Sequence, residues 1–303
     1  MTQSAVHLTG VSKTYGEHRA VDSLDLEVPS GAIYGFIGPN GSGKTTTIRM
    51  ILHIIYPDCG EIEVLGQRGI RAANDHIGYL AEERGLYKKM KVGKLLHYYA
   101  VLKGMPKREI AAAVNSWLDR LELSDWRNAK IEALSKGMAQ KVQFISAVVS
   151  NPKLLILDEP FSGLDPVNAE ILRAQILRLR ESGTTVIFST HDMSAAEKMC
   201  DAIFMIHRGK KVLDGSLASI QSTYGTDTVR LRAAGGVAAK VLASMPGIEE
   251  VRDHGRFQEV RLDSDPQELL KRLCELGDVS LFELVRPSLN DIFVRIAGEG
   301  EPS

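Results

Sequence analysis

Gly38-Pro39-Asn40-Gly41-Ser42-Gly43-Lys44-Thr45 is the stretch of this sequence that decides the fold. It matches the phosphate-loop pattern G-x-x-x-x-G-K-[ST] at every position. An apolar run at 32–37 precedes it, and a run with helical periodicity at 46–52 follows it. A strand, a glycine loop and a helix in this order surround one anion with backbone N–H groups and a helix N-terminus. The context therefore favours a phosphate site over a chance glycine turn, with Lys44 reaching the β- and γ-phosphates and the Thr45 hydroxyl ligating Mg²⁺.

Composition narrows the class of protein. The chain has 303 residues, enough for two domains, and its 37 Lys+Arg balance 38 Asp+Glu. This balance argues against a general nucleic-acid binder. No apolar stretch reaches the ~20 residues needed to span a bilayer, and Met1–Ser4 has no secretory-signal character. Cys59, Cys200 and Cys274 lie far apart, so we expect isolated reduced thiols in a cytosolic protein.

The order of apolar runs predicts two domains. Strand-like and helix-like segments alternate over residues 1–225, which is typical of an α/β fold with a parallel sheet. A boundary is predicted at Tyr224–Asp227. Residues 226–303 then show the order βαββαβ of a small α+β, ferredoxin-like domain, with a final helix at Leu289–Ile296.

Two strand ends carry candidate catalytic residues. The apolar run 154–157 ends in Asp158 and Glu159, where one carboxylate can hold Mg²⁺ through water and the next can polarise an attacking water. On their own these acids fit a solvated strand end equally well. The run 185–188 leads to His191, for which a γ-phosphate contact and a structural role are about evenly balanced.

The next motif makes the pattern specific to a family. Leu134-Ser135-Lys136-Gly137-Met138 resembles the LSGGQ signature of ABC transporters. The phosphate loop, this segment, the Asp158-Glu159 strand, Ser162–Asp165 and His191 also follow one another in that family's order. Over residues 5–215 the chain resembles the ATP-binding subunit of an ABC transporter. The resemblance implies a P-loop NTPase core with a helical subdomain at about 88–152 and an antiparallel β subdomain.

The resemblance also implies where MgATP binds. Tyr15 would stack on adenine, the segment from Gly38 to Thr46 would hold the phosphates, and Thr45 and Asp158 would hold Mg²⁺, the latter through water. Glu159 and His191 would be catalytic. The signature of a second subunit, Ser135, Lys136, Gly137 and Met138, would act on this nucleotide, with Ser135 and Gly137 capping the γ-phosphate. Asp165 would link the two sites across the dimer. Ser135 also fits an ordinary helix cap, and both roles are compatible.

Two departures from the family pattern stand out. Glu82 occupies the position of a glutamine that touches Mg²⁺ and senses the membrane partner, and we expect it to keep the sensing role. Lys136 and Met138 replace Gly and Gln in the signature. Lys136 either adds positive charge toward the γ-phosphate or is simply solvated, and the second interpretation is favoured. Both departures resemble a sodium/multidrug-export-like subgroup of bacterial exporters, which carries an extra C-terminal domain.

The predicted partners follow from the resemblance. They are a separate integral-membrane permease and a second ATP-binding subunit, with ATP and Mg²⁺ as ligands and no nucleic acid. The place of action would be the cytoplasmic, inner face of the cell membrane. A basic cluster at Lys88, Lys89, Lys91 and Lys94 is either solvated or in contact with permease or anionic lipid. The alternatives are a soluble non-transport ABC ATPase and a nucleotide-binding regulator without turnover.

Overall fold

A computed structural model describes residues 4–68, 74–83, 85–224, 228–233 and 239–298. The chain divides into two compact units, Met1–Ser216 and Leu217–Ser303. The limits predicted for the domains, 1–225 and 226–303, stay predictions, as does the helical subdomain at 88–152.

Three sequence-based assignments fall partly outside the described residues. They are the predicted boundary at Tyr224–Asp227, the first residues of a helix predicted at Val237–Ser244, and Arg84 in the segment that contains Glu82.

The first unit contains ten strands and six α-helices among the described residues. The strands are β1 Ser4–Tyr15, β2 His18–Pro29, β3 Ile33–Ile37, β4 Cys59–Val64, β5 Gln67–Arg68, β6 Ile77–Leu80, β7 Leu154–Asp158, β8 Thr185–Thr190, β9 Ala202–His207 and β10 Lys210–Ser216. The helices are α1 Lys44–Ile51, α2 Val92–Leu102, α3 Lys107–Arg120, α4 Lys136–Val148, α5 Pro166–Glu181 and α6 Met193–Met199. Short 3₁₀ turns cover Asn74–His76, Ser124–Trp126 and Ile131–Ala133.

A six-stranded sheet forms the centre of this unit, in the order β10-β9-β3-β8-β7-β6. The strands from β9 to β6 are parallel, and β10 pairs antiparallel with β9. Every residue of β3, β7 and β8 is buried, which explains their continuous apolar character. The register pairs Asp158 with Ser189 and Ile37 with Thr190, so the carboxyl ends of the three strands meet at one edge.

An antiparallel sheet, β2-β1-β4-β5, shares a hydrophobic core with the central sheet. This confirms the predicted antiparallel β part of the fold. The first strand is longer than the sequence pattern at 5–8 suggests, because β1 continues to Tyr15 through register shifts between Leu8 and Thr14. Such shifts break the regular alternation by which a strand is recognised in a sequence.

The strand β6 was not predicted. It lies at the edge of the central sheet beside β7. A Cβ added at Gly78 would lie 2.2 Å from the carbonyl oxygen of Ala147, so this glycine lets α4 approach the strand closely. Because glycine weakens a strand pattern, the segment's short apolar run gives a poor signal in the sequence.

The second unit contains α7 Leu217–Thr223, β11 Thr228–Ala233, α8 Ala239–Ala243, β12 Ile248–Asp253, β13 Gln258–Leu262, α9 Pro266–Leu276, β14 Val279–Val285 and α10 Leu289–Gly298. Its antiparallel sheet has the order β12-β13-β11-β14. With the chain order βαββαβ, this is the predicted ferredoxin-like arrangement. The helix α7 was not predicted, and its Gln221 Nε2 donates to the carbonyl oxygen of Pro287, 3.1 Å away.

Among the described residues, none of the helices combines the length and the apolar character that crossing a bilayer requires.

Candidate functional site

The loop between β3 and α1 can be built only with glycine at two of its positions. Gly38 has φ of 155° and Gly43 has φ of 111°, in the range that L side chains rarely adopt. A Cβ at Gly38 would lie 2.2 Å from the carbonyl oxygen of Ile206, and one at Gly43 would lie 2.5 Å from that of Ala20. The Ser42 carbonyl oxygen also accepts the Gly209 N–H at 2.9 Å. The loop therefore packs closely against the backbone of β2, the end of β9 and the β9–β10 turn.

Lys44 begins α1 with its ammonium group folded under the loop. Its Nζ donates to the carbonyl oxygens of Gly38 at 2.5 Å and Pro39 at 3.0 Å. Burial lowers the pKa of Lys44, and the negative charges of Glu159, Asp158 and Glu82 partly oppose this effect. Lys44 is therefore a buried cation with three carboxylates in its electrostatic environment.

The loop fits a polyphosphate. Ser42 is 3% exposed, and its Oγ has no hydrogen-bond partner among the described residues. A buried hydroxyl without a partner costs free energy until a ligand satisfies it. Thr45 and Thr46, at the start of α1, are half-buried. Phosphate oxygens would satisfy Ser42, and the Thr45 hydroxyl has the hard-oxygen chemistry that Mg²⁺ prefers.

Asp158 ends β7 almost completely buried, with 3% exposure. Its Oδ1 accepts a hydrogen bond from Ser189 Oγ at 2.7 Å. Burial raises the pKa of Asp158, and the charges of Glu82 and Glu159 raise it further, while the Ser189 bond and Lys44 act in the opposite direction. The site therefore carries an excess of carboxylates, as expected for one completed by a divalent cation.

Glu159 and His191, the two predicted catalytic residues, are in direct contact. Nδ1 of His191 lies 2.6 Å from Oε1 of Glu159, and the His191 backbone N–H donates to the same oxygen at 2.8 Å. Thr190 Oγ1 donates to the other carboxylate oxygen at 3.1 Å. The Glu159 backbone has φ of 48°, a left-handed conformation that is uncommon for non-glycine residues. These contacts fix the Glu159 carboxylate at the carboxyl end of the central sheet.

Glu82 follows β6 and is exposed. Its charge influences the pKa of both Asp158 and Lys44, which places it in the electrostatic environment of the phosphate loop. Gln143 holds this segment, since its Nε2 donates to the carbonyl oxygens of Ala81 at 2.9 Å and Glu83 at 3.4 Å.

The predicted signature segment starts helix α4. Ser135 is the N-cap, and its Oγ accepts the Met138 N–H at 3.2 Å. Ser135 and Lys136 are exposed, and Gly137 and Met138 are half-buried. The structure thus puts a capped helix N-terminus at the surface, as a phosphate contact from outside this chain would require.

Asp165 caps α5 in the same way. Its carboxylate accepts the Asn168 backbone N–H at 3.0 Å and the Asn168 side-chain amide at 2.5 Å. The backbone bond, followed by the side-chain bond, lowers the pKa of Asp165. Asp165 is therefore an exposed, ionised cap, and its predicted role across a dimer stays a prediction.

Tyr15 and the basic cluster lie at the surface. Tyr15, at the end of β1, is 49% exposed, and the Lys13 ammonium lies 5.7 Å from the centre of its ring. An exposed aromatic ring is available for stacking on a base. The four lysines at 88, 89, 91 and 94 are all exposed. Exposure alone fits both interpretations of this cluster.

Several supporting residues escaped the sequence analysis. Ser189 and Thr190, which orient the two carboxylates, directly precede His191 in the sequence but carry no motif of their own. Gln140 Nε2 donates to the Pro160 carbonyl oxygen at 3.2 Å and so ties α4 to the turn after β7. A buried glutamine in a helix is a weak sequence signal for such a tie.

The second unit contains a cavity of about 830 Å³, which is lined by residues of its sheet and of the start of α10. Three of its arginines are already held by carboxylates: Arg230 by Glu259 at 2.9 Å, Arg252 by Glu250 at 2.8 Å and Arg261 by Glu249 at 2.6 Å. Paired charges of this kind offer a ligand little net attraction.

Comparison with protein-family models gives two matches. Residues 21–162 match the model described as "ABC transporter", and residues 215–297 match "ATP-binding protein DrrA1-3-like, C-terminal domain". The first match contains the phosphate loop, Glu82, the signature segment and Asp158-Glu159.

Similar proteins cover nearly the whole chain. The uncharacterized ABC transporter ATP-binding protein YhaQ of Bacillus subtilis is 44% identical over 291 residues, which is 95% of this chain and 97% of the relative. The Nod factor export ATP-binding protein I of Rhizobium sp. is 32% identical over 98% of both chains. A solved structure described as an ATP binding subunit of an ABC transporter matches with a TM-score of 0.69 and 28% identity, over 73% of this chain and 93% of that one.

Proposed function

Since the chain belongs to the ABC transporter ATP-binding proteins, a family of ATPases that power transport, we propose that it binds MgATP between two copies of itself and drives export through a separate membrane permease. The observation that carries the proposal is the phosphate loop with its orphan Ser42 hydroxyl, placed beside the Asp158–Glu159–His191 group. Binding groups and a candidate base thus occupy neighbouring positions at one sheet edge.

The roles of the residues follow from their chemistry. The loop N–H groups, Ser42 and Lys44 bind phosphate oxygens, and Thr45 and Asp158 hold Mg²⁺, the latter through water. The ion supplies charge neutralisation at the phosphates when it is bound. Glu159 accepts a proton from the attacking water. His191 orients the Glu159 carboxylate and contacts the γ-phosphate.

The second subunit completes the site in this proposal. Ser135, Lys136, Gly137 and Met138 start a helix whose N-terminus is exposed, and an exposed helix N-terminus is suited to an anion bound by another chain. Asp165, an exposed and ionised helix cap, links the two sites across the dimer.

Coupling to the membrane is assigned to the segment around Glu82. Glu82 senses the permease and adjusts the charge near the loop, because its carboxylate influences both Asp158 and Lys44. The exposed lysines after it face the permease or anionic headgroups on the inner side of the membrane. Export as the direction of transport is supported by the name of the Nod factor relatives.

Dilution of the purified protein tests the dimeric site. If hydrolysis requires two copies, the ATPase rate per molecule falls as the protein is diluted below its dimerisation constant, and the total rate rises with the square of concentration there. The measurement is steady-state phosphate release across a hundredfold range of enzyme at saturating MgATP. A rate that stays strictly proportional to enzyme over the whole range would contradict the proposal.

A further inference from the structure

The two departures from the family pattern line the same cavity. Glu82 and Lys136 are far apart in the sequence, yet both border a cavity of about 490 Å³ together with Glu83, Gln140 and Ser162. One residue introduces a negative charge where the family has a neutral amide, and the other introduces a positive charge where it has glycine. The structure places the two changes around one space.

The Lys136 side chain lies against the backbone of Gly163, next to Ser162 of the cavity lining. A Cβ added at Gly163 would lie 2.5 Å from Cε and 2.6 Å from Nζ of Lys136, and Gly163 has φ of 71°. A side chain at 163 would therefore clash with the lysine as well as strain the backbone. The ammonium group lies against the turn that follows Glu159. In the described part of the chain, Lys136, Glu82 and Glu83 make no ion pair with any residue.

The charge at Glu82 disturbs the neighbouring site. Its carboxylate lies in the electrostatic environment of both Asp158 and Lys44. With Asp158 and Glu159, it makes three carboxylates around one lysine. The negative charge of Glu82 repels a polyphosphate. A positive charge nearby would reduce this repulsion.

We propose that Lys136 is a positioning residue that supplies the counter-charge to Glu82 within the same subunit, so that the two departures act as a pair. This inference rests on the nucleotide site proposed above. It differs from a contact between Lys136 and the γ-phosphate of a partner subunit's nucleotide. That contact would require a dimer and a triphosphate and would not depend on Glu82. A counter-charge within the same chain affects nucleotide binding by a monomer. It affects the binding of a diphosphate as well as that of a triphosphate.

A double-mutant cycle distinguishes these possibilities. The proteins are wild type, Lys136→Met, Glu82→Gln and the double variant, and the readout is the dissociation constant of a fluorescent Mg-ADP analogue at a concentration where the protein is monomeric. We expect Lys136→Met to weaken binding about three- to tenfold in the wild-type background and less than about twofold in the Glu82→Gln background. Lys136→Arg retains the charge and should bind like wild type.

Glu83→Gln is the matched control, because Glu83 lines the same cavity. Combined with Glu83→Gln, Lys136→Met should still weaken binding three- to tenfold. An equal effect of Lys136→Met with and without Glu82→Gln, or an effect seen with ATP at dimer-forming concentrations but not with ADP, would overturn the inference. If the proposed nucleotide site itself were wrong, wild type and Lys44→Met would bind the analogue equally. That result differs from the two that would overturn the inference about Lys136.

Discussion

Replacing Lys44 with methionine is expected to lower MgATP affinity and the ATPase rate together, with a loss in kcat/KM of about 10²–10³-fold. The reason is the position of the ammonium group under the loop, where it is the cation among the carboxylates of Asp158, Glu159 and Glu82. Without it, the negative charge of these three carboxylates would face the triphosphate with no compensation from Lys44. Nucleotide titration and steady-state phosphate release measure the two effects separately.

The fold should survive this change. Burial lowers the pKa of Lys44, so the folded protein bears a cost for the charged form that methionine removes while keeping the apolar stem. We therefore expect the free energy of unfolding at neutral pH to stay the same or rise. Lys198→Met, on the exposed side of α6, is the matched control and should leave binding and turnover unchanged. Undiminished affinity and turnover in Lys44→Met would remove the phosphate site from this loop.

Glu159→Gln should separate binding from turnover. Glutamine keeps the shape of the side chain, and its amide oxygen can still accept the His191 N–H that now lies 2.8 Å from the carboxylate. It cannot accept a proton from water, so the turnover number should fall about 10²–10⁴-fold while ATP affinity changes little. The Glu159→Gln protein should therefore bind ATP without hydrolysing it.

Size-exclusion chromatography measures whether Glu159→Gln stays dimeric in ATP. ATP should hold Glu159→Gln as a dimer, whereas wild type returns to monomer as it hydrolyses the nucleotide. Glu181→Gln, at the exposed end of α5, serves as the control and should behave like wild type. A turnover number within a factor of about two of wild type in Glu159→Gln would show that another group acts as the base.

The sequence was most informative where local chemistry is obligatory. The glycines of the phosphate loop, the buried runs of β3, β7 and β8, and the cap residue Ser135 each follow from rules that act within a few residues. The ferredoxin-like order of the second unit was also readable, because its strands and helices keep clear periodicity.

What could not be predicted depends on contacts between distant residues. The bond between Glu159 and His191 needs the parallel register of β7 and β8, and the unsatisfied Ser42 hydroxyl needs the packed loop around it. The approach of Lys136 to Gly163 depends on where a helix start meets a turn. β6 could not be recognised from the sequence because Gly78 interrupts its apolar pattern. The reason for a glycine there is its close contact with α4, which only the structure shows.

In the proposed dimer, each site takes its phosphate loop from one copy and its signature from the other. Co-expression of Lys44→Met and Ser135→Asp chains with different affinity tags, followed by purification over both tags, gives dimers with one intact composite site. Aspartate retains the helix cap at 135 but sets a negative charge against the γ-phosphate.

The measurement is the ATPase rate of these mixed dimers against a control in which both substitutions lie in one chain and the other chain is wild type. Each variant alone should be inactive. The mixed dimers should hydrolyse ATP at about half the wild-type rate and the control at almost none, because the control dimer has no complete site. Inactive mixed dimers together with a half-active control would contradict it, because the site would then be complete within one chain.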